Sequence, residues 1–138
     1  IRGTFFSRQR TSDGRPFPDV LKEQGIVVGV RADTGYFPLN GYGERATDGL
    51  VDLAERCQEL RSRGVRLALW RTVIECSIEL PTDVAVWENM SRLAQCAQIC
   101  HANGLALAAE LQLSSRNGAG NHSIERTAYV MEKVCSNA

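Results

Sequence analysis

The chain carries no net charge: sixteen lysines and arginines balance sixteen aspartates and glutamates over 138 residues. That balance excludes the broad positive field of a nucleic-acid or membrane-surface binder. No apolar run approaches the roughly 20 residues that a membrane helix needs, so membrane insertion is not expected. No signal-peptide pattern is visible, and the first residue is Ile1 rather than Met; this suggests that something was removed or that the chain belongs to a longer one. Histidine is scarce, with two copies, and the five cysteines, at 57, 76, 96, 100 and 135, are odd in number and scattered. Cys96 and Cys100 lie four apart with His101 beside them, but a metal site would need a second ligand cluster, and His122 alone does not supply one. Buried, reduced thiols are the better reading, with no metal, no cofactor and a cytoplasmic or other reducing compartment.

What is present is a repeating α/β pattern in a chain long enough for a single domain, residues 1–138. Ile26, Val27, Val28 and Val30 form a short β-branched run that reads as a strand buried on both faces. It ends in Arg31 and Asp33, which leave on the same side because strand side chains alternate. Val65 to Trp70 repeats the arrangement, followed by Arg71, and Leu105 to Ala109 is followed by Glu110 and Gln112. Two helical patterns separate the three strands at a spacing of roughly 40 residues, which suits a parallel α/β sheet or barrel. Sites in such folds gather at the carboxyl ends of the strands. Arg31, Asp33, Arg71, Glu110 and Gln112 would then share one polar patch, either a pocket or a set of structural ion pairs.

Between these strands the chain alternates punctuation and helix. Thr4 to Phe6 could close a strand, Asp13 to Pro18 reads as a turn, and Asp19 to Glu23 as one helical turn. From Asp33 to Arg45 three glycines and Pro38 predict a loop that forms a wall of the pocket. A helix is expected from about Thr47 to Arg63, with Leu50, Leu53, Ala54, Cys57 and Leu60 as its apolar stripe and Gly64 as its stop. The Glu55–Arg56 and Glu59–Arg61 charges read as its solvated face. The second strand runs on through Thr72, Val73 and Ile74, and Pro81-Thr82-Asp83 opens the next helix. Val86, Met90, Leu93, Ala94 and Ala97 make that helix's stripe, and Asn103-Gly104 ends it. A flexible loop over 114–122 and a final helix over about 123–135 complete the pattern.

At several points, in order, the chain resembles the class I fructose-1,6-bisphosphate aldolases. The likeness is carried by Asp13-Gly-Arg-Pro-Phe-Pro18, by the run from Gly25 to Gly35, by Asp48-Gly-Leu and by Leu53-Ala-Glu-Arg-Cys57. Trp70-Arg71, Glu88-Asn89, Ile99-Cys100 with Asn103-Gly104, and Tyr129-Val-Met-Glu-Lys-Val134 extend it nearly from end to end.

The resemblance implies a (β/α)8 TIM barrel, of which this chain would supply about three to four parallel strands with their helices. It also implies a cytoplasmic tetramer that cleaves fructose 1,6-bisphosphate through a Schiff-base lysine, without metal. Matched residue by residue, Asp33 keeps the family's strand-end acid, while Arg31 stands where the family has a phosphate-binding lysine. Arg71 keeps a phosphate-contacting arginine, yet Leu69 replaces a lysine that takes part in the chemistry. Glu110 keeps the general acid/base, and Gln112 replaces the glutamate beside it. The Schiff-base lysine is implied on the next barrel strand, past Ala138.

Those replacements set the functional expectation. Leucine can neither donate a proton nor stabilise an oxyanion, and an amide cannot accept a proton as a carboxylate does. Each lost group costs on the order of 2–4 kcal/mol of transition-state stabilisation. The expectation is a degenerate aldolase-like protein, catalytically inactive and serving as a structural or interaction subunit, with other chains covering the open barrel. Part of an active aldolase is one alternative. A sugar-phosphate binding module using Arg31, Arg71 and Glu110 is the other.

Overall fold

The computed structural model describes residues 3–5 (backbone), 11–114 and 124–136. Its centre is a parallel sheet of four strands in the order β1-β2-β5-β6. These are β1 (Gly3–Phe5), β2 (Val27–Arg31), β5 (Leu67–Glu75) and β6 (Ala106–Ser114). Helix α1 (Phe17–Glu23) leads from β1 into β2, α2 (Leu53–Ser62) from β2 into β5, and α3 (Asp83–Ala102) from β5 into β6. A last helix, α4, spans Ile124–Cys135.

The pleat sorts the strands into two faces. Val28, Val30, Ala32, Ala68 and Trp70 point to the helices and join Leu53, Cys57, Cys96, Cys100 and Leu105 in one core cluster. A second cluster farther along joins Ile74 and Cys76 to Val86 and Met90 of α3 and to Val130 and Val134 of α4. The alternate residues, Arg31, Leu69, Arg71, Ala108, Glu110 and Gln112, lie on the other face, which we call the inner face.

Two expected boundaries moved. Glu110 and Gln112 stand within a long strand rather than beyond its end, because β6 runs nine residues and pairs with β5 throughout, from Leu67↔Ala106 to Glu75↔Ser114, whereas β5 runs on past Arg71 as expected. The segment expected as loop from Asp33 to Arg45, together with the start of the expected helix at Thr47, instead forms an antiparallel hairpin. Strand β3 (Gly35–Pro38) pairs with β4 (Arg45–Asp48), from Gly35↔Asp48 to Pro38↔Arg45. Tyr36 and Phe37 supply the aromatic strand formers there, and glycine and proline sit at the ends of β3 rather than interrupting it.

Helix α2 begins at Leu53 because the chain before it is held against β2. Gly49 adopts φ +128°, and a Cβ on it would meet the Ala32 carbonyl oxygen at 2.9 Å. Only glycine fits so close an approach. Arg56 clamps the same junction, donating from Nη1 to the Ala32 carbonyl at 2.9 Å and from Nη2 to the Gly49 carbonyl. It is therefore half-buried and structural, not part of a solvated face, whereas Glu55, Glu59 and Arg61 are exposed as expected and Glu59 pairs with Arg63. Ala54 and Ala94, expected in the two stripes, are exposed. The opening of α3 is as expected: Thr82 caps it, its hydroxyl accepting from the Ala85 N–H at 3.2 Å. The expected loop over 114–122 falls outside the described residues except for Ser114, which closes β6.

Candidate functional site

Four of the five residues expected to gather do so on the inner face. Register places Arg31 beside Leu69, and Leu69 beside Ala108, in one row across three strands. Two residues on, Arg71 stands beside Glu110. Asp33, whose side chain is fully buried, joins the two rows. Its carboxylate accepts from Arg31 through Nη2 and, at 3.4 Å, through Nε, and it accepts the Arg71 backbone N–H at 3.2 Å. Arg71 Nε in turn donates to Glu110 Oε2 at 3.0 Å. The hydrogen bond to Asp33 raises the pKa of Arg31 above its already high ordinary value, so its guanidinium stays charged at all working pH. The result is a chain of alternating charges: Arg31, Asp33, Arg71, Glu110. Gln112 lies on the same face beside Val73, exposed and one pleat farther along.

The hairpin supplies what the sequence reading missed. Thr47 Oγ1 donates to the Arg71 carbonyl at 2.9 Å, so the Arg71 backbone is held by Asp33 at its N–H and by Thr47 at its carbonyl. Asn89 of α3, with no exposed surface, fixes the hairpin from behind. Its side-chain oxygen accepts the Thr47 N–H at 3.1 Å, and its amide donates to the carbonyls of Arg45 and Ala85 at 2.9 Å each. Buried Glu44 accepts from Thr82 through the backbone N–H at 2.8 Å and the hydroxyl at 2.6 Å, and from Asn40 at 2.7 Å. Arg45 pairs with Glu75 at 3.1 Å and sits over the Tyr36 ring, while Arg92 sits over Phe37 at 4.5 Å. The one hint of this in the sequence was an asparagine, Asn89, on the apolar side of an otherwise amphipathic helix. A buried amide demands partners.

Leu69, half-buried between Arg31 and Ala108, presents only an alkyl group where the row meets the polar chain. Each arginine of the inner face faces a carboxylate: Arg31 with Asp33, Arg71 with Glu110, and Arg45 with Glu75. The arrangement can orient a bound group by hydrogen bonds. The net positive charge it offers a dianion is small. A shallow cavity of about 240 Å³, lined by Lys22, Ile26, Val27 and Arg66, opens at the opposite, N-terminal end of the strands. Among the described residues no group of three or more His, Cys, Asp or Glu side chains is arranged to hold a metal ion. Cys96 and Cys100 face the core, whereas His101 is exposed. No helix of the described residues is long and apolar enough to cross a membrane.

A parallel β-α-β-α-β unit with its polar chain on the inner face, toward the carboxyl ends of the strands, is the architecture of a partial (β/α)8 barrel. Comparison with known proteins gives that class a family. The model of the class I fructose-bisphosphate aldolases matches residues 3–138. The aldolase B of Gallus gallus is 41% identical over 127 residues, covering 91% of this chain and 34% of that protein. The aldolase of Dictyostelium discoideum is 41% identical over 129 residues, with 91% of this chain and 35% of that protein covered. Among solved structures, the fructose-bisphosphate aldolase of Plasmodium falciparum, crystallised with TRAP and a small-molecule inhibitor, superposes with a TM-score of 0.86 at 34% identity. That match covers 98% of this chain and 40% of the other. The chain belongs to the class I fructose-bisphosphate aldolase family, and it spans about a third of the length of the curated relatives it matches.

Proposed function

We propose that this chain is a degenerate member of its family, without aldol-cleavage activity of its own and serving as a structural or interaction subunit. The observation that carries the reading is the inner-face row Arg31–Leu69–Ala108. Cleavage by a Schiff-base route needs amines and carboxylates that exchange protons with the substrate. Here the central position of the row is a leucine, and Gln112 stands one pleat beyond Glu110. The remaining groups, Asp33 and Glu110 as remnants of the acid–base set and Arg31 and Arg71 as phosphate contacts, are engaged with one another. The proposed partners are other protein chains that cover the open sheet: β6 bonds to β5 along one edge, and no described strand pairs with its other edge. An uncovered edge of nine residues invites pairing.

The purified chain, assayed for cleavage of fructose 1,6-bisphosphate, gives no activity above background on this reading; turnover at a rate ordinary for enzymes overturns it. Family membership keeps a second reading in view, in which the chain is part of an active aldolase whose lysine comes from another segment. Borohydride trapping of a dihydroxyacetone phosphate adduct in the isolated assembly would establish that reading. The polar chain itself favours a third, a sugar-phosphate binding module, and calorimetric titration with fructose 1,6-bisphosphate decides it: heat of binding lost on Arg71→Ala supports it.

A further inference from the structure

Three cysteines from two helices meet in the core beneath the sheet, away from the inner face. Cys57 of α2 and Cys100 of α3 bring their sulfurs to 3.9 Å across the helix interface. Cys96, one turn earlier on α3, places its sulfur 3.8 Å from that of Cys100. All three are at most 1% exposed. Three adjacent thiols are a chemical grouping that packing alone does not require.

The geometry separates the two sulfur pairs. Within one helix, Cβ atoms four residues apart lie about 5–6 Å from each other. A disulfide needs them at about 3.5–4.5 Å, so Cys96 and Cys100 cannot join while α3 remains helical. Cys57 and Cys100 carry no such restriction, because they sit on separate helices. Their sulfurs must approach by just under about 2 Å to reach bonding distance, a shift shared between two side chains. We propose that Cys57 and Cys100 form an oxidative modification site, in which a peroxide installs a disulfide that staples α2 to α3.

The steps balance as follows. The sulfur of Cys57, ionised in the reactive encounter, attacks one peroxide oxygen, the O–O bond breaks, and the departing hydroxide takes up a proton to leave as water. Cys57 is now a sulfenic acid. The Cys100 sulfur attacks it, the S–O bond breaks, and a second water leaves with the Cys100 proton. Two thiols have given up two electrons and two hydrogens to one peroxide. Burial raises the Cys57 thiol to about 12, while its hydrogen bond to Cys96 and then burial push Cys100 up further. Exchanging the roles of the two sulfurs gives the same disulfide. The reaction is slower than at the exposed Cys135, because both core thiols are held protonated.

The test is a peptide map of the folded, full-length chain after hydrogen peroxide treatment. Remaining thiols are blocked under denaturing, non-reducing conditions before digestion. The expected result is a linked Cys57–Cys100 peptide, two hydrogens lighter than its parts and released by reductant, appearing after Cys135 has been oxidised. The Cys96→Ala variant keeps the linked peptide, and Cys57→Ala and Cys100→Ala lose it. Recovery of both Cys57 and Cys100 as blocked thiols once Cys135 is fully oxidised overturns the proposal. So does sulfinic acid at Cys57, or a bond from Cys96 to either partner in place of the expected one. Should a core variant fail to fold, the wild-type map alone decides.

Discussion

The two faces of one sheet are built from alternate residues of the same strands, and they obey different rules. On the helix side, Val28, Val30, Ala32, Ala68 and Trp70 are at most 5% exposed and join an apolar cluster with Leu53, Leu105 and three thiols. On the inner side, Val27 is 40% exposed, Leu69 is half-buried, and the remaining surface is held by ion pairs. The helix side makes the fold. The inner side carries whatever chemistry the chain retains, and there Leu69 and Gln112 depart from the residues that the family resemblance implies. Packing and chemistry make demands on residues one apart, so one face can change while the other is kept.

That contrast can be tested by mutation. The largest effect is expected from Trp70→Ala, which removes a fully buried indole beneath the sheet. It should cost about 3–5 kcal/mol in denaturant unfolding, enough to leave a marginal chain unfolded. Asn89→Ala comes next. It leaves the Arg45 carbonyl and the Thr47 N–H of the hairpin without that partner, and removes the bond to the Ala85 carbonyl within α3. A loss of about 2–3 kcal/mol is expected, with hydrogen exchange speeding in β3 and β4 before the parallel sheet responds. Equal exchange in both sheets would show that the hairpin and the core are one cooperative unit.

Alkaline titration of Cys57 probes the helix side. Cys57 has its pKa raised from 9.0 to about 12 in the folded chain, chiefly by burial. A raised value means that the folded state holds its proton longer than the unfolded state does. The associated stability is present below pH 9 and is lost as the pH climbs toward 12. Stability measured across that window should fall, and Cys57→Ala should flatten the slope. The smallest effect belongs to the inner face. Leu69→Lys places an amine on a half-exposed position and should change stability by no more than about 0.5 kcal/mol. A loss of several times that would mean the inner face is packed against something in solution.

Much of this was legible beforehand because burial leaves a mark on composition. The β-branched runs in β2 and β5 and the stripes of Leu53, Cys57, Val86 and Met90 follow from the need to cover one face of a helix or both faces of a strand. The polar cluster was legible as a set of residues, since charges that end or interrupt neighbouring apolar strands fall on one face of the sheet. The hairpin was not. Tyr36 and Phe37 lie between glycines and a proline, and their partner strand hides in the leading edge of a helical pattern through Thr47 and Leu50. The groups that hold the hairpin, the Asn89 side chain and the Arg71 carbonyl, lie 24 to 44 residues away, so local composition cannot announce it. Arg56 misled for a related reason: a charge on a helix reads as solvated unless one knows that the Ala32 and Gly49 carbonyls lie within its reach.

The sequence by itself determined the family, the alternation of helices with the parallel strands β2, β5 and β6, and the presence of a leucine and an amide at positions 69 and 112. These are properties of residue identity and periodicity. Tertiary structure alone decided that Asp33 bridges Arg31 and Arg71, that Asn89 and Thr47 hold the Arg71 strand from outside it, and that Cys57 meets Cys100 across two helices. Apart from the local Arg31–Asp33 pair, these contacts join residues 24 to 44 apart in the chain. Such contacts exist only once the strands have chosen their register, because side-chain bonds reach a few ångströms while the chain between the partners can take any path.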